Sequence, residues 1–318
     1  AQGARVHPIG AVTKNSQGEE LAELESMRAA GIVAVSDDGQ PVWNSRVLRR
    51  ALEYCAALGL LLIDHCEDRQ LAAGGVMHEG PWSVRLGLRG IPALAEELPV
   101  ARNVRLAALT GARVHIAHLS IGSGLEVVRQ AKEQGLAVTC EVTPHHFTLT
   151  DEACRDYDPR FKMNPPLRSP DDVAALIAGL ADGTVDAIAT DHAPHDQESK
   201  RVPFAQAANG IVGLETLLAL SLGLHHEGHM PLLEVLKAVT STPARILAIP
   251  AGRLAPGAPA DLILFDPDHA WRIDVGRFRS KSKNSPFDGW EVKGRCLRTI
   301  VDGRTVYRLE NGNGDGGR

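Results

Sequence analysis

An α/β architecture with parallel strands is predicted by three observations on this chain of 318 residues. Short apolar runs at residues 32–35, 60–63, 114–117 and 185–189 read as buried strands. Segments of helical periodicity separate them, so the strands run parallel and their carboxyl ends open on one face. Asp38, His65, His118 and Asp191 each stand where one of these runs stops. Two imidazoles and two carboxylates collected on one rim predict a metal site.

Taken in order, residues 6–9 already read as a strand. Residues 19–30 carry Leu21, Leu24 and Met27 at helical spacing, and Gly31 ends that helix. The strand at 32–35 runs into Ser36, Asp37, Asp38 and Gly39. A helix capped by Asn44 or Ser45 follows, through Leu48, Leu52 and Cys55 to Gly59. It leads into the strand ending at His65. Residues 67–90, with Gly74, Gly75, Gly80 and Trp82, are expected to form a loop over the strand ends. Residues 92–110 are helical up to Gly111. Then come the strand ending at His118, a helix at 124–134, a strand at 136–142, a loop holding residues 143–146 and an irregular proline-rich stretch at 161–168. Ser169 and Pro170 start the next helix, where Asp171 and Asp172 suit the positive helix end. After the strand ending in Asp191, helices are expected at 213–225 and 232–247.

This gives about six strands, short of the eight that close a TIM-type (β/α)8 barrel. Because the chain begins at Ala1 with a strand almost at once, residues 1–248 are expected to form an incomplete barrel, with two further strands in a missing N-terminal portion. Beyond Ala248 short β-type runs at 261–265, 290–292 and 299–301 predict a small β appendage over 249–309. Residues 310–318, rich in Gly, Asn and Asp, are expected to be disordered.

With 44% hydrophobic residues the chain can bury one large core. A net charge of −5 and no long basic run argue against nucleic acid or an anionic membrane as partner and favour a small polar substrate. Cys55, Cys66, Cys140, Cys154 and Cys296 are odd in number and form no CxxC pair, which suggests reduced thiols rather than disulfides or a thiolate zinc site. No stretch approaches the roughly 20 apolar residues of a membrane span, and no secretory core follows the first residues. A soluble, cytoplasmic protein is expected.

Imidazole and carboxylate ligands without thiolates suit zinc or another borderline divalent ion in a catalytic site. One Asp can bridge two ions. Two metals sharing a hydroxide lower the pKa of that water and polarise a carbonyl, while a nearby Asp shuttles a proton to a leaving nitrogen. That is the hydrolysis of an amide or its reverse. A lone His or Asp at a strand end is more often a hydrogen-bonded loop residue; four in register favour the metal. His145, His146, His192 and His195 lie near the same rim, and some of them must support ligands or meet substrate, because a metal pair cannot use them all. His225, His226 and His229 read as a solvated helix end, and His115 as a packing residue.

The chain resembles the cyclic amidohydrolases, and more narrowly the type I dihydroorotases. The resemblance rests on Pro8-Ile9-Gly10-Ala11-Val12-Thr13, Ser36-Asp37-Asp38-Gly39, His65-Cys66-Glu67-Asp68, His115-Ile116-Ala117-His118-Leu119-Ser120, Thr143-Pro144-His145-His146, Lys162-Met163-Asn164-Pro165-Pro166-Leu167-Arg168, Thr190-Asp191-His192-Ala193-Pro194-His195 and Lys283-Asn284-Ser285-Pro286-Phe287. These cover nearly the whole chain in order. The resemblance implies a zinc-dependent hydrolase barrel, with two ions in the complete site, that interconverts N-carbamoyl-aspartate and dihydroorotate in pyrimidine synthesis. It implies that Asp38 bridges the metals, that His65 and His118 hold the second ion, and that Asp191 binds the first ion and shuttles the proton. Asn164 and His195 match substrate-contacting positions, and the loop at 207–210, with Ala208 and Gly210, is expected to offer backbone groups to the ring. Ala208 stands where the family often has proline.

The resemblance also implies a homodimer. Hydantoinases and allantoinases usually carry a carboxylated lysine where Asp38 stands, so the aspartate favours the dihydroorotases. The family's His-x-His pair and following arginine on the first strand have no counterpart here, and single His7 does not match. That missing pair motivates one alternative, an inactive dihydroorotase-like subunit that supports aspartate carbamoyltransferase assembly; the other is a hydantoinase/allantoinase-type cyclic amidase.

Overall fold

The structure, a computed structural model, describes residues 3–309; the tail expected at 310–318 lies outside the described residues. Six parallel strands form one sheet in sequence order: Ile9–Gly10, Ala34–Val35, Leu61–Asp64, Arg113–Ile116, Val138–Val142 and Ala187–Ile188. Each expected strand is present, with the apolar run trimmed where pairing stops. The register sets Ile9 beside Ala34, Ala34 beside Leu61 and Leu61 beside Arg113.

Alternation along the strands decides what each face buries. Leu62, Val114, Ile116, Val138, Cys140 and Val142 point to the helices and join the main core. The opposite face carries Ala34, Leu61, Ile63 and Ala187, against which Ile246 and Leu247 pack. That inner face turns polar at mid-sheet: His115 Nε2 lies 3.2 Å from Glu141 and its Nδ1 2.7 Å from the Thr139 hydroxyl. His115 is thus not the packing residue expected. It is buried, and burial of an imidazole requires partners, which the adjacent strand Val138–Val142 supplies.

Helix ends follow their caps. Asn44 Oδ1 accepts from the amides of Arg46 and Val47 at the start of Ser45–Leu58, and Gly59 ends it at φ +67°. Ser169 and Asp172 form a capping box at Pro170–Asp182. Several segments differ from expectation: residues 143–146 open the short helix Pro144–Thr148, capped by Thr143, in place of a loop, and the helix expected at 19–30 spans only Leu24–Ala29. Residues 232–247 form two helices, Leu232–Val239 and Ser241–Ile246, broken at Thr240; Pro243 is tolerated only because it falls in the first turn of the second. Residues 67–90 are not a plain loop: they hold the helices Arg69–Ala72 and Pro81–Leu86 and a parallel pairing of Met77–His78 with Gly90–Ile91.

The C-terminal β runs are longer than expected, as strands Leu262–Arg272, Glu291–Val301 and Arg304–Arg308 of an antiparallel sheet. A second apolar cluster, including Leu220, Ile273, Phe278 and Phe287, joins this sheet's connections to the helix Leu217–His226. No helix among the described residues is long and apolar enough to cross a membrane.

Candidate metal centre

His65 directly follows the strand Leu61–Asp64, and His118 lies two residues beyond Arg113–Ile116 on the neighbouring strand. Their rings meet edge to face at 4.8 Å, with His65 Nδ1 3.1 Å from His118 Nε2. Both are almost fully buried. Two nitrogens that share one tetrahedral ion at 2.0–2.1 Å stand about 3.3 Å apart, so this pair is spaced as ligands of a common metal. His118 Nδ1 has no partner, and His118 holds φ at +34°, a left-handed conformation that side chains avoid.

Supports behind these rings, Glu67, Ser120 and Arg168 among them, stand inside the sequence motifs without a role expected of them there. His65 Nε2, the nitrogen turned away from His118, faces Glu67 at 3.8 Å, the carboxylate–histidine arrangement that orients metal ligands. Burial disfavours charge on His65, but Glu67 and Asp64 outweigh it and raise the imidazole above its usual value. Asp64 is held in turn by Asn103 Nδ2 at 2.5 Å. Beside His118, Ser120 donates its amide to Glu96 at 2.7 Å, and the fully buried Arg168 reaches both Glu96 at 3.0 Å and the Ser120 hydroxyl at 2.9 Å.

Asp38, His118 and Asp191 line one cavity of about 460 Å³, whose walls include Glu141 and the apolar Ile63, Ala187 and Ile246. Asp191 also has left-handed backbone, φ +45°. Burial, reinforced by the charges of Asp38 and Glu141 and opposed by His118 and His65, raises its carboxyl above the ordinary range. Asp38 is exposed at the rim. Its neighbour Asp37 is buried and accepts from the amides of Val12 and Thr13 at 2.8 and 3.0 Å, tying the first strand's end to the second. Among the described residues no group of three or more His, Cys, Asp or Glu is already gathered tightly enough to hold a metal. The two imidazoles are preset; Asp38 and Asp191 share a cavity with His118, and His65 stands behind His118 outside that lining.

Asn164 Nδ2 donates to Glu67 at 2.8 Å and lies 3.4 Å from His65 Nε2, so this residue does reach the imidazole pair. A hollow of about 210 Å³ beside it is lined by Glu67, Asn164 and Asn209. His195 Nε2 meets the Asn209 carbonyl at 2.6 Å, and a Cβ on Gly210, at φ +109°, would strike Ala193 at 2.5 Å. The Ala208 and Gly210 amides are committed to the carbonyls of Ser199 and Lys162, at 3.0 and 2.9 Å. Asn284 Nδ2 bonds the carbonyls of Ala193 and Gly210, which explains why the distant Lys283-Asn284-Ser285 stretch belongs to this rim.

The remaining rim histidines divide. His192 Nδ1 accepts from the amides of Gly213 and Leu214, and His146 spans Thr143 and the Pro165 carbonyl; both brace loops. Burial lowers His146 to about 3 and His145 well below its usual value, so both are neutral. His145 Nε2 is buried without a partner.

Residues 10–306 match the amidohydrolase family. The chain is 54% identical over 303 residues to a dihydroorotase of Citrifermentans bemidjiense, covering 95% of this chain and 72% of that protein. A dihydroorotase of Pelotomaculum thermopropionicum is 55% identical over 304 residues, covering 95% and 71%. Among solved structures, the L-hydantoinase (dihydropyrimidinase) of Arthrobacter aurescens superposes with a TM-score of 0.84 at 27% identity, covering 95% of this chain and 70% of that one.

Proposed function

Because this chain belongs to the amidohydrolase family, and within it to the dihydroorotases, we propose that Asp38, His65, His118 and Asp191 form the metal centre that serves its reaction. That reaction is the reversible cyclisation of N-carbamoyl-aspartate to dihydroorotate. In the hydrolytic direction the bond between a ring carbonyl carbon and the ureide nitrogen breaks, water oxygen bonds to the carbon, and a proton goes to the nitrogen. The observation that carries the metal assignment is the facing of His65 Nδ1 and His118 Nε2 at 3.1 Å, with Glu67 behind the first ring.

A divalent ion held there acidifies water and polarises a carbonyl. Zinc is the ion we assign, two per complete site, since the donors are nitrogen and oxygen without thiolate. His65, His118, Asp38 and Asp191 are the residues that would hold the ions, with the imidazole pair and the carboxylates as the donors. Asp191 takes the proton from the attacking water and delivers it to the departing nitrogen. His195 and Asn164 contact the substrate, with Ala208 and Gly210 supplying the backbone wall beside them. Gly210 leaves room where any side chain would meet Ala193.

Residues 1–248 carry the chemistry, and the β appendage at 249–309 contributes Asn284 as a brace. A cytoplasmic setting agrees with five free thiols. A homodimer is our reading of the resemblance, with aspartate carbamoyltransferase as a second partner.

The substrate is tested by assaying dihydroorotate against hydantoin and allantoin. Turnover of dihydroorotate with the others at least about 100-fold slower in kcat/KM is expected, because each lacks the carboxylate or ring size that the polar rim must match. Preference for hydantoin contradicts the assignment. Asn164→Ala is expected to raise KM about tenfold with a smaller change in kcat, since it removes a hydrogen bond to bound substrate. An unchanged KM contradicts that role.

A further inference from the structure

Two buried lysines lie outside the centre, and no step of the reaction uses them. Lys200 Nζ donates to three carbonyls, those of Pro159, Lys162 and Ala208, at 3.0, 3.2 and 2.6 Å. Lys162 Nζ donates to the carbonyls of Ala205 and Ala207 at 2.9 and 2.7 Å. Both ammoniums therefore pull on one segment, residues 205–208. An ammonium has three N–H donors and three acceptors surround Lys200; a neutral amine has only two.

The segment's other anchors are backbone hydrogen bonds, from the amides of Ala207, Ala208 and Gly210 to the carbonyls of Pro203, Ser199 and Lys162, and the lysines add the side-chain ties. Beyond the single turn Phe204–Gln206 it has no regular structure until the bridge between His192 and Ile211. Past Ala208 come Asn209, whose carbonyl meets His195, and Gly210, whose carbonyl is held by Asn284. The lysines fix one end of this span and Asn284 the other.

We propose that Lys200, assisted by Lys162, is a positioning residue for the substrate loop: its ammonium gathers three backbone carbonyls and so sets Asn209 and Gly210 against His195. The inference rests on the reading of His195 and Gly210 as substrate contacts. Lys200 does not touch the substrate itself.

A consequence is an alkaline limit. Burial, with the charge of Lys162 beside it, lowers Lys200 to about 8, and Asp158 opposes that shift. The charged groups facing Lys200 are thus Lys162 and Asp158, the latter already paired with Arg160 at 2.6 Å. Above that pH the ammonium loses a proton, one carbonyl loses its donor, and the loop loosens. Substrate binding weakens as pH rises, while below it the clamp is intact.

The test uses the full chain and two variants, Lys200→Met and Lys200→Arg. Amide hydrogen exchange, corrected for intrinsic rate, is followed for residues 205–212, and KM and kcat are measured between about pH 7 and pH 9.5 with dihydroorotate and with hydantoin. Lys200→Met is expected to speed exchange at Ala208 and Gly210 about tenfold and to raise KM about tenfold with kcat changed less than about twofold. The unsubstituted protein is expected to show KM climbing above about pH 8, a climb absent in Lys200→Met and absent also in Lys200→Arg, whose guanidinium keeps its charge across this range. Unchanged exchange and KM in Lys200→Met overturn the proposal, as does a flat KM in the unsubstituted protein. If Lys200→Met fails to fold, the pH dependence of exchange in the unsubstituted protein decides alone. Turnover of hydantoin in place of dihydroorotate refutes the substrate reading while the exchange data still judge the clamp.

Discussion

Replacing Asp191 by Asn is expected to lower kcat for dihydroorotate hydrolysis by about 10³-fold or more while the protein remains folded. The amide keeps the shape and one ligating oxygen but cannot carry the proton from water to the leaving nitrogen. The position is tightly determined: Asp191 sits at φ +45° in the cavity it shares with Asp38 and His118. Holding a non-glycine residue there costs on the order of 1–3 kcal/mol, a strain that persists because the strand end and the loop after it leave no alternative. The check is steady-state turnover alongside a thermal melt. A variant that keeps kcat within about threefold removes Asp191 from the proton path.

The second large effect is on stability. Glu96→Ala is expected to destabilise the fold by about 3–5 kcal/mol, because it leaves Arg168 charged and buried without its partner. Arg168 is fully buried, and besides Glu96 it holds only neutral groups: Ser120, His78 and the Ile91 carbonyl. The loss also frees Ser120, two residues beyond His118, so the imidazole pair is expected to loosen along with the fold. A shift in urea midpoint at unchanged m-value gives the number. A loss below about 1 kcal/mol contradicts the buried-pair interpretation.

The strand ends were legible because a buried parallel strand leaves an apolar run and a polar stop, and His65, His118 and Asp191 mark those stops. Caps were legible for the same local reason: Asn44 and Ser169 perform the roles their residue types suggest. What could not be read was long-range. The partnership of His115 with Glu141 needs the register of neighbouring strands, and that of Arg168 with Glu96 spans 72 positions. Glu67 and Asp37 stood inside motifs already singled out, and a search for carboxylates beside candidate ligands would have found them. The break at Thr240 had a local signal in Pro243, outweighed by apolar spacing that continues across it. Positive φ at His118 and Asp191 leaves no trace in composition, since neither is glycine.

The assignment of a metal to the His65–His118 pair is tested most directly by anomalous diffraction at the zinc edge from crystals grown with zinc. A peak within about 2.0–2.2 Å of both His65 Nδ1 and His118 Nε2, with Asp38 turned inward onto it, is the expected result. Crystals with zinc bound elsewhere, or with the two nitrogens still hydrogen-bonded to each other at saturating zinc, contradict it.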